Sequence, residues 1–327
     1  MRSIDVQLDV TDAAGLGEPH YTMATVYLPE PEAVRPVALF AYPGGGYGRR
    51  YYDIQYRSFS GYSEAEFHVA QGIVFVACDH LGVGESSQPD PFALTYENVA
   101  AANDAAARQV LDRLAAGTLA EGYPALPDVR AVGIGQSMGG CLLTVQQANH
   151  RTFAGVGFLG WSGIHTNFPK RGGGRLDDRY VPARGRDPRT ETLTGFTPDE
   201  FTYCFHYEDE PQEFVAADMA AYGPGSDVST RGNADCPWGS ASMPACAATM
   251  MSPGSVAPDA AAIEVPVFIG NGERDVVTDP RAEAQAYRSS RDITVVEVPR
   301  MCHMHNFAGT RHVLWQRIQD FVDSATR

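Results

Sequence analysis

The sequence predicts an α/β fold, a mostly parallel sheet covered on both faces by helices. Two observations predict it. Short, continuously apolar runs recur, as in 37–42 (VALFAY), 73–79 (IVFVACD) and 265–270 (VPVFIG). Stretches with helical spacing lie between them. The longest is 96–116, where Val99, Ala102, Ala106, Val110 and Leu114 share a face, with Ala107 and Leu111 alongside. A strand flanked by helices on both sides is buried on both faces and reads as an unbroken apolar run.

The remaining elements follow in order. Residues 5–10 and 21–29 alternate like strands. The run 37–42 ends in Pro43-Gly44-Gly45-Gly46. Residues 129–135 form an apolar strand, a helix begins at Met138, and 153–160 is a strand. From 163 to 258 the alternation breaks into a stretch rich in Gly, Pro, Asp and aromatics. It then resumes with strand 265–270, a helix over 280–290 and strand 293–298. A closing helix over 308–323 places Val313, Leu314, Ile318, Phe321 and Val322 on one side. The expected organisation is a core of residues 1–162 and 259–327 with an insertion, 163–258. Sites in such sheets gather at the carboxyl ends of strands, so the insertion is expected to form a cap or lid there.

A length of 327 residues suits one core plus one insertion. The net charge of −15 argues against nucleic acid and anionic membranes as partners. The N-terminus has no apolar signal segment and no run reaches membrane-span length, so a cytoplasmic protein is expected. A homo-oligomer remains open. The six cysteines form no CxxC pair and read as buried thiols; Cys236 and Cys246 flank a loop and pair only in an oxidising compartment.

The central chemical signal is Gly135-Gln136-Ser137-Met138-Gly139, between a strand and a helix. A nucleophile on a sharp strand-to-helix turn needs small neighbours, and the following helix aims its positive end at the site. Serine needs a base. His303 and His305 follow the last strand, on the same sheet edge as Ser137, and His303 is the expected base. His20, His150 and His312 read as surface residues, His68 as helical, His165 and His206 as in or beside the insertion, and His80 as loop support. A carboxylate must fix the imidazole tautomer. Asp275 follows strand 265–270 and completes the chain order Ser, Asp, His; Glu273 and Asp279 are its rivals. The oxyanion donors are expected to be the N–H of Met138 and that of Gly45, with Gly46 as alternate to Gly45. A phosphate-loop reading of the glycines lacks the following Lys-Ser/Thr.

These segments, together with Asp79-His80-Leu81-Gly82-Val83-Gly84-Glu85-Ser86 and Gly272-Glu273-Arg274-Asp275, resemble the α/β-hydrolase superfamily. The resemblance spans residues 37 to 323 apart from the insertion. It implies an eight-stranded sheet, a Ser-Asp-His triad and a cap after the sixth strand. Pro43 stands where many members have histidine, and Cys302 where glycine is common.

Serine as nucleophile leaves esterases, lactonases, thioesterases and other acyl-cleaving enzymes. The expected function is hydrolysis of carboxylic esters or related acyl bonds of an apolar small molecule, without cofactor or metal. Acyltransfer, carbon–carbon bond hydrolysis and non-catalytic ligand binding on the same fold are the alternatives. The aromatics and methionines of the insertion either line a pocket or pack the insertion itself. Gly46, Tyr47 and Trp161 are expected at the pocket. The basic, Gly-rich segment 171–190 reads as a solvated loop, with steering of an anionic substrate as the alternative.

Overall fold

The structure, a computed structural model, describes residues 1–222, 231–233 and 235–327; residues 223–230 and 234 of the expected insertion lie outside the described residues. Eight strands form one sheet: β1 (Arg2–Asp9), β2 (Tyr21–Leu28), β3 (Val37–Tyr42), β4 (Val74–Cys78), β5 (Arg130–Gln136), β6 (Gly155–Leu159), β7 (Val267–Arg274) and β8 (Ile293–Cys302). Their order is β1-β2-β4-β3-β5-β6-β7-β8. The β1–β2 and β2–β4 pairs are antiparallel and the rest parallel. β3, β4 and β6 are buried at every position, which is why they read as unbroken apolar runs. β1 lies at an edge and buries only Val6 and Leu8, so it alternates.

The helices are α1 (Thr11–Ala14), α2 (Glu64–Val69), α3 (Tyr96–Ala116), α4 (Met138–His150), α5 (Pro198–Phe205), α6 (Gln212–Met219), α7 (Ala257–Ala262) and α8 (Arg311–Ala325). α3 and α4 pack together, with α1 on α3 and α7 on α4, while α2 packs on α8. The two groups cover opposite faces: Ala38, Phe40 and Tyr42 of β3 join the core under α3 and α4, and Val37, Leu39 and Ala41 join the core under α2 and α8. α3 keeps its expected bounds because both ends are signalled. Thr95 and Asn98 form a reciprocal cap, and Gly117 ends the helix at φ 68°.

Three expectations are corrected. Segment 280–290 forms only a 3-10 turn, Ala282–Gln285. So short a helix depends on packing. Here the contacts go to side chains instead: the Glu283 carboxylate accepts from Ser162 and from Gly163 N–H, and Tyr287 stacks on Phe158. Val313 faces solvent, 48% exposed, while Leu314, Ile318, Phe321 and Val322 are buried. His20 is buried rather than on the surface.

The chain between β6 and β7 carries α5, α6 and α7. Segment 171–190 has no helix or strand among its residues. Four of its arginines, Arg171, Arg179, Arg184 and Arg189, pair with Asp199, Glu200, Glu97, Asp259 and Asp90 and so tie the loop to neighbouring segments. The six cysteines are free, Cys236 and Cys246 included. No described helix is long and apolar enough to cross a membrane.

Candidate active site

β3 lies between β4 and β5. The chain leaves β3 towards β4 and leaves β5 towards β6, so the loops after β3 and β5 diverge and open a crevice at their carboxyl ends. Ser137 follows β5 directly, with φ 51° and ψ −115°. That conformation is strained for a residue with a Cβ. Its flanking glycines are required by contact. A Cβ on Gly135 would lie 2.4 Å from the Gly139 carbonyl oxygen, and one on Gly139 would lie 2.2 Å from that of Tyr42. α4 starts at the next residue, so the Met138 N–H has no intrahelical acceptor.

His303 follows β8 and Asp275 follows β7, on adjacent parallel strands. His303 Nδ1 is 2.7 Å from Asp275 Oδ1. Asp275 is buried and also accepts from Gly272 N–H (3.0 Å) and Val276 N–H (2.7 Å). Its fourth partner is His305, whose Nε2 lies 2.7 Å from Oδ2. Burial works to raise the Asp275 carboxyl, but the two imidazoles, by charge and hydrogen bond, hold it well below the usual carboxylate range. The rivals stand elsewhere. Glu273 is exposed and accepts from Arg300 N–H, and Asp279 caps Arg281 and Ala282.

The loop after β3 sits against the turn that carries Ser137. A Cβ on Gly44 would lie 3.1 Å from Ser137 Cβ, and one on Gly45 3.9 Å from Met138 Cβ. Tyr47 N–H closes the turn on Gly44 O (3.1 Å). Pro43 contributes a carbonyl 3.2 Å from His80 Nε2. Burial lowers His80 to about 4, so the ring is neutral and supports the loop.

Ser137, Met138, Gly45, His303 and Trp161 line one cavity of about 580 Å³. Its described walls include Phe168, Phe196, Phe201, Phe205, Tyr222, Met243, Met250 and Met251, and no Asp, Glu, Lys or Arg side chain. The aromatics of the insertion thus divide. Phe214 and Trp238 instead pack with Tyr56 and Phe307, and Tyr203 and Tyr207 flank the Arg274 guanidinium. Gly46 and Tyr47 are not among the described lining residues: the Tyr47 ring is buried and its hydroxyl reaches Asp218, 2.5 Å away. Gln136 was not anticipated. Its amide donates to His303 O (3.0 Å) and lies 3.3 Å from His303 Nε2. Among the described residues none hydrogen-bonds to the Ser137 hydroxyl. The signal for His305 was its place two residues after His303; Gln136, inside the Gly-x-Ser-x-Gly pattern, had none.

No protein-family model and no curated protein matches the chain. Solved structures match over nearly its whole length. An esterase from Exiguobacterium antarcticum aligns with 98% of this chain and 100% of its own, at TM-score 0.63 and 12% identity. A bromoperoxidase from Bacillus anthracis covers the same shares at TM-score 0.60 and 15% identity. A proline iminopeptidase from Mycobacterium smegmatis also does so, at TM-score 0.56 and 16% identity. At such identities the likeness is one of fold, and it agrees with the strand order and the strand–turn–helix around Ser137. The chain has the α/β-hydrolase fold.

Proposed function

We propose that the protein is a serine hydrolase that cleaves a carboxylic ester or related acyl bond, a lactone or thioester included, of an uncharged apolar small molecule. The observation that carries this reading is the meeting of Ser137, on its strained turn, with the Asp275-bound His303 in the wall of one apolar cavity. His303 Nε2 takes the Ser137 proton as Oγ adds to the substrate carbonyl. The N–H groups of Met138 and Gly45 hold the resulting oxyanion. The carbonyl re-forms, the bond to the leaving group breaks, and His303 returns the proton to it. Water then adds to the acyl-enzyme, giving its proton to His303, and the acid leaves as Ser137 is reprotonated.

The bond from Ser137 Oγ to His303 Nε2 forms in the substrate complex, as such bonds commonly tighten only there. Asp275 steadies the imidazolium and selects the tautomer that leaves Nε2 free to accept. The insertion, on this reading, is the cap that excludes water.

The test is the hydrolysis of paired p-nitrophenyl esters of similar size, butyrate and monosuccinate. The described walls offer a carboxylate no counter-charge, and burying one unpaired is costly. Butyrate should be preferred by roughly 100-fold or more in kcat/KM, and Ser137→Ala should abolish both activities. Equal turnover of the two esters, or turnover by Ser137→Ala, would refute the reading.

A further inference from the structure

The steps above leave a second buried polar cluster in the insertion unused. His206 lies with Nδ1 2.7 Å from Glu210 Oε2 and Nε2 3.0 Å from Asp218 Oδ2. Asp218 also accepts the Trp238 indole N–H (2.8 Å) and the Tyr47 hydroxyl (2.5 Å). Arg231 donates from Nη1 to the Asp218 carbonyl (2.9 Å), and its Nη2 reaches Asp218 Oδ1 at 3.5 Å. The side chains of His206, Glu210, Asp218 and Arg231 are 0–3% exposed. Burial opposes a charge on His206, yet the two carboxylates push it up to about 9. Two cations therefore face two carboxylates, the arrangement buried charges require.

The cluster converges on the loop that carries Gly45. Arg231 Nε donates to Gly46 O (2.7 Å), and its guanidinium lies 4.6 Å from the Tyr47 ring centre. Ser240 N–H donates to the same carbonyl (2.9 Å), and Gly48 N–H donates to Trp238 O (2.9 Å). Gly46, at φ 79°, has no side chain to hold its own conformation, so the loop is held from outside. The same segment also grips the base. Cys204 O accepts from His303 N–H (2.9 Å), Phe205 O from Met304 N–H (3.1 Å), and His206 O from Arg274 (2.8 Å).

We propose that Asp218, seated by His206 and Arg231, is a positioning residue for the oxyanion loop: it fixes Tyr47 and, through Arg231, the Gly46 carbonyl, so that the Gly45 amide is set before substrate arrives. The assignment rests on the hydrolase reading. A preorganised donor acts mainly on the transition state, so its loss appears in kcat more than in KM. Glu210 holds the far side of His206, and no step of the reaction passes through the cluster.

Turnover of p-nitrophenyl butyrate and inhibition by phenylboronic acid, which becomes tetrahedral on a serine, test this together. Asp218→Asn, shown folded by circular dichroism and melting, should lower kcat roughly 10- to 100-fold with KM within about threefold, and weaken boronate inhibition by a similar factor. Tyr47→Phe removes one bond to Asp218 and decides the matter if Asp218→Asn does not fold. It should lower kcat roughly three- to tenfold with the same KM pattern. Unchanged kcat in the folded variant overturns the proposal, as does a KM rise that accounts for the whole loss. An inert wild type, unlabelled at Ser137 by a fluorophosphonate, overturns the hydrolase reading itself and this assignment with it.

Discussion

Replacing Gly160 with alanine presses a methyl group against the His303–Asp275 pair. Gly160 follows β6 at φ 54°, and its N–H is fixed to Gly270 O (2.9 Å). A Cβ there would lie 2.8 Å from His303 Nδ1 and 3.1 Å from each Asp275 carboxylate oxygen. Ordinary contact begins near 3.4 Å, so the ring must retreat by about 0.6 Å. It has little room to do so: Asp275 holds it at 2.7 Å, Gln136 lies beside Nε2, and the Phe205 ring centre is 5.3 Å away. A misplacement near 1 Å costs about 100-fold in rate, so kcat/KM should fall roughly 10- to 100-fold. The left-handed backbone adds a stability cost of about 1–2 kcal/mol, a few degrees in Tm. Steady-state hydrolysis of p-nitrophenyl butyrate beside a thermal melt reads both. Wild-type turnover in Gly160→Ala would mean that the His303–Asp275 pair does not serve as the base.

Further outcomes follow from the same geometry. Ser137→Gly should be inactive yet melt higher than Ser137→Ala, by an amount equivalent to about 1 kcal/mol, because glycine relieves the strained turn; equal melting would deny the strain. Asp275 is held low in the folded protein, so its contribution to stability is complete above about pH 4 and is lost as pH falls below it. Asp275→Asn should therefore flatten the acid limb of a Tm–pH profile. His206, pushed up to about 9, contributes fully below about pH 6.5 and loses that contribution as pH rises through 9. An alkaline limb that persists in His206→Gln would assign it to another group.

The sheet and the strand–turn–helix around Ser137 were legible because their signals are local. Each central strand is an apolar run, α3 carries its own caps, and Ser137 lies in a five-residue pattern. Asp275 and His303 were legible through chain order, since adjacent parallel strands end on the same edge. What was not legible depends on pairing across long separations. Tyr47 meets Asp218 171 residues away, and the first is spent on the insertion rather than the cavity. The insertion's aromatics look alike in sequence, yet Phe205 lines the cavity while Phe214 fills the core beside Phe307. Segment 280–290 has helix-forming residues, but Glu283 and Tyr287 find partners that a full helix would not need.

The proposed chemistry stands or falls with Ser137 as a nucleophile activated by His303. Labelling with a fluorophosphonate, followed by peptide mapping in wild type and His303→Ala, tests it most directly. Phosphonylation is expected at Ser137 in the wild type, with loss of roughly 1,000-fold or more of the rate in His303→Ala. Labelling at another residue, or equal rates in the two folded proteins, would contradict it.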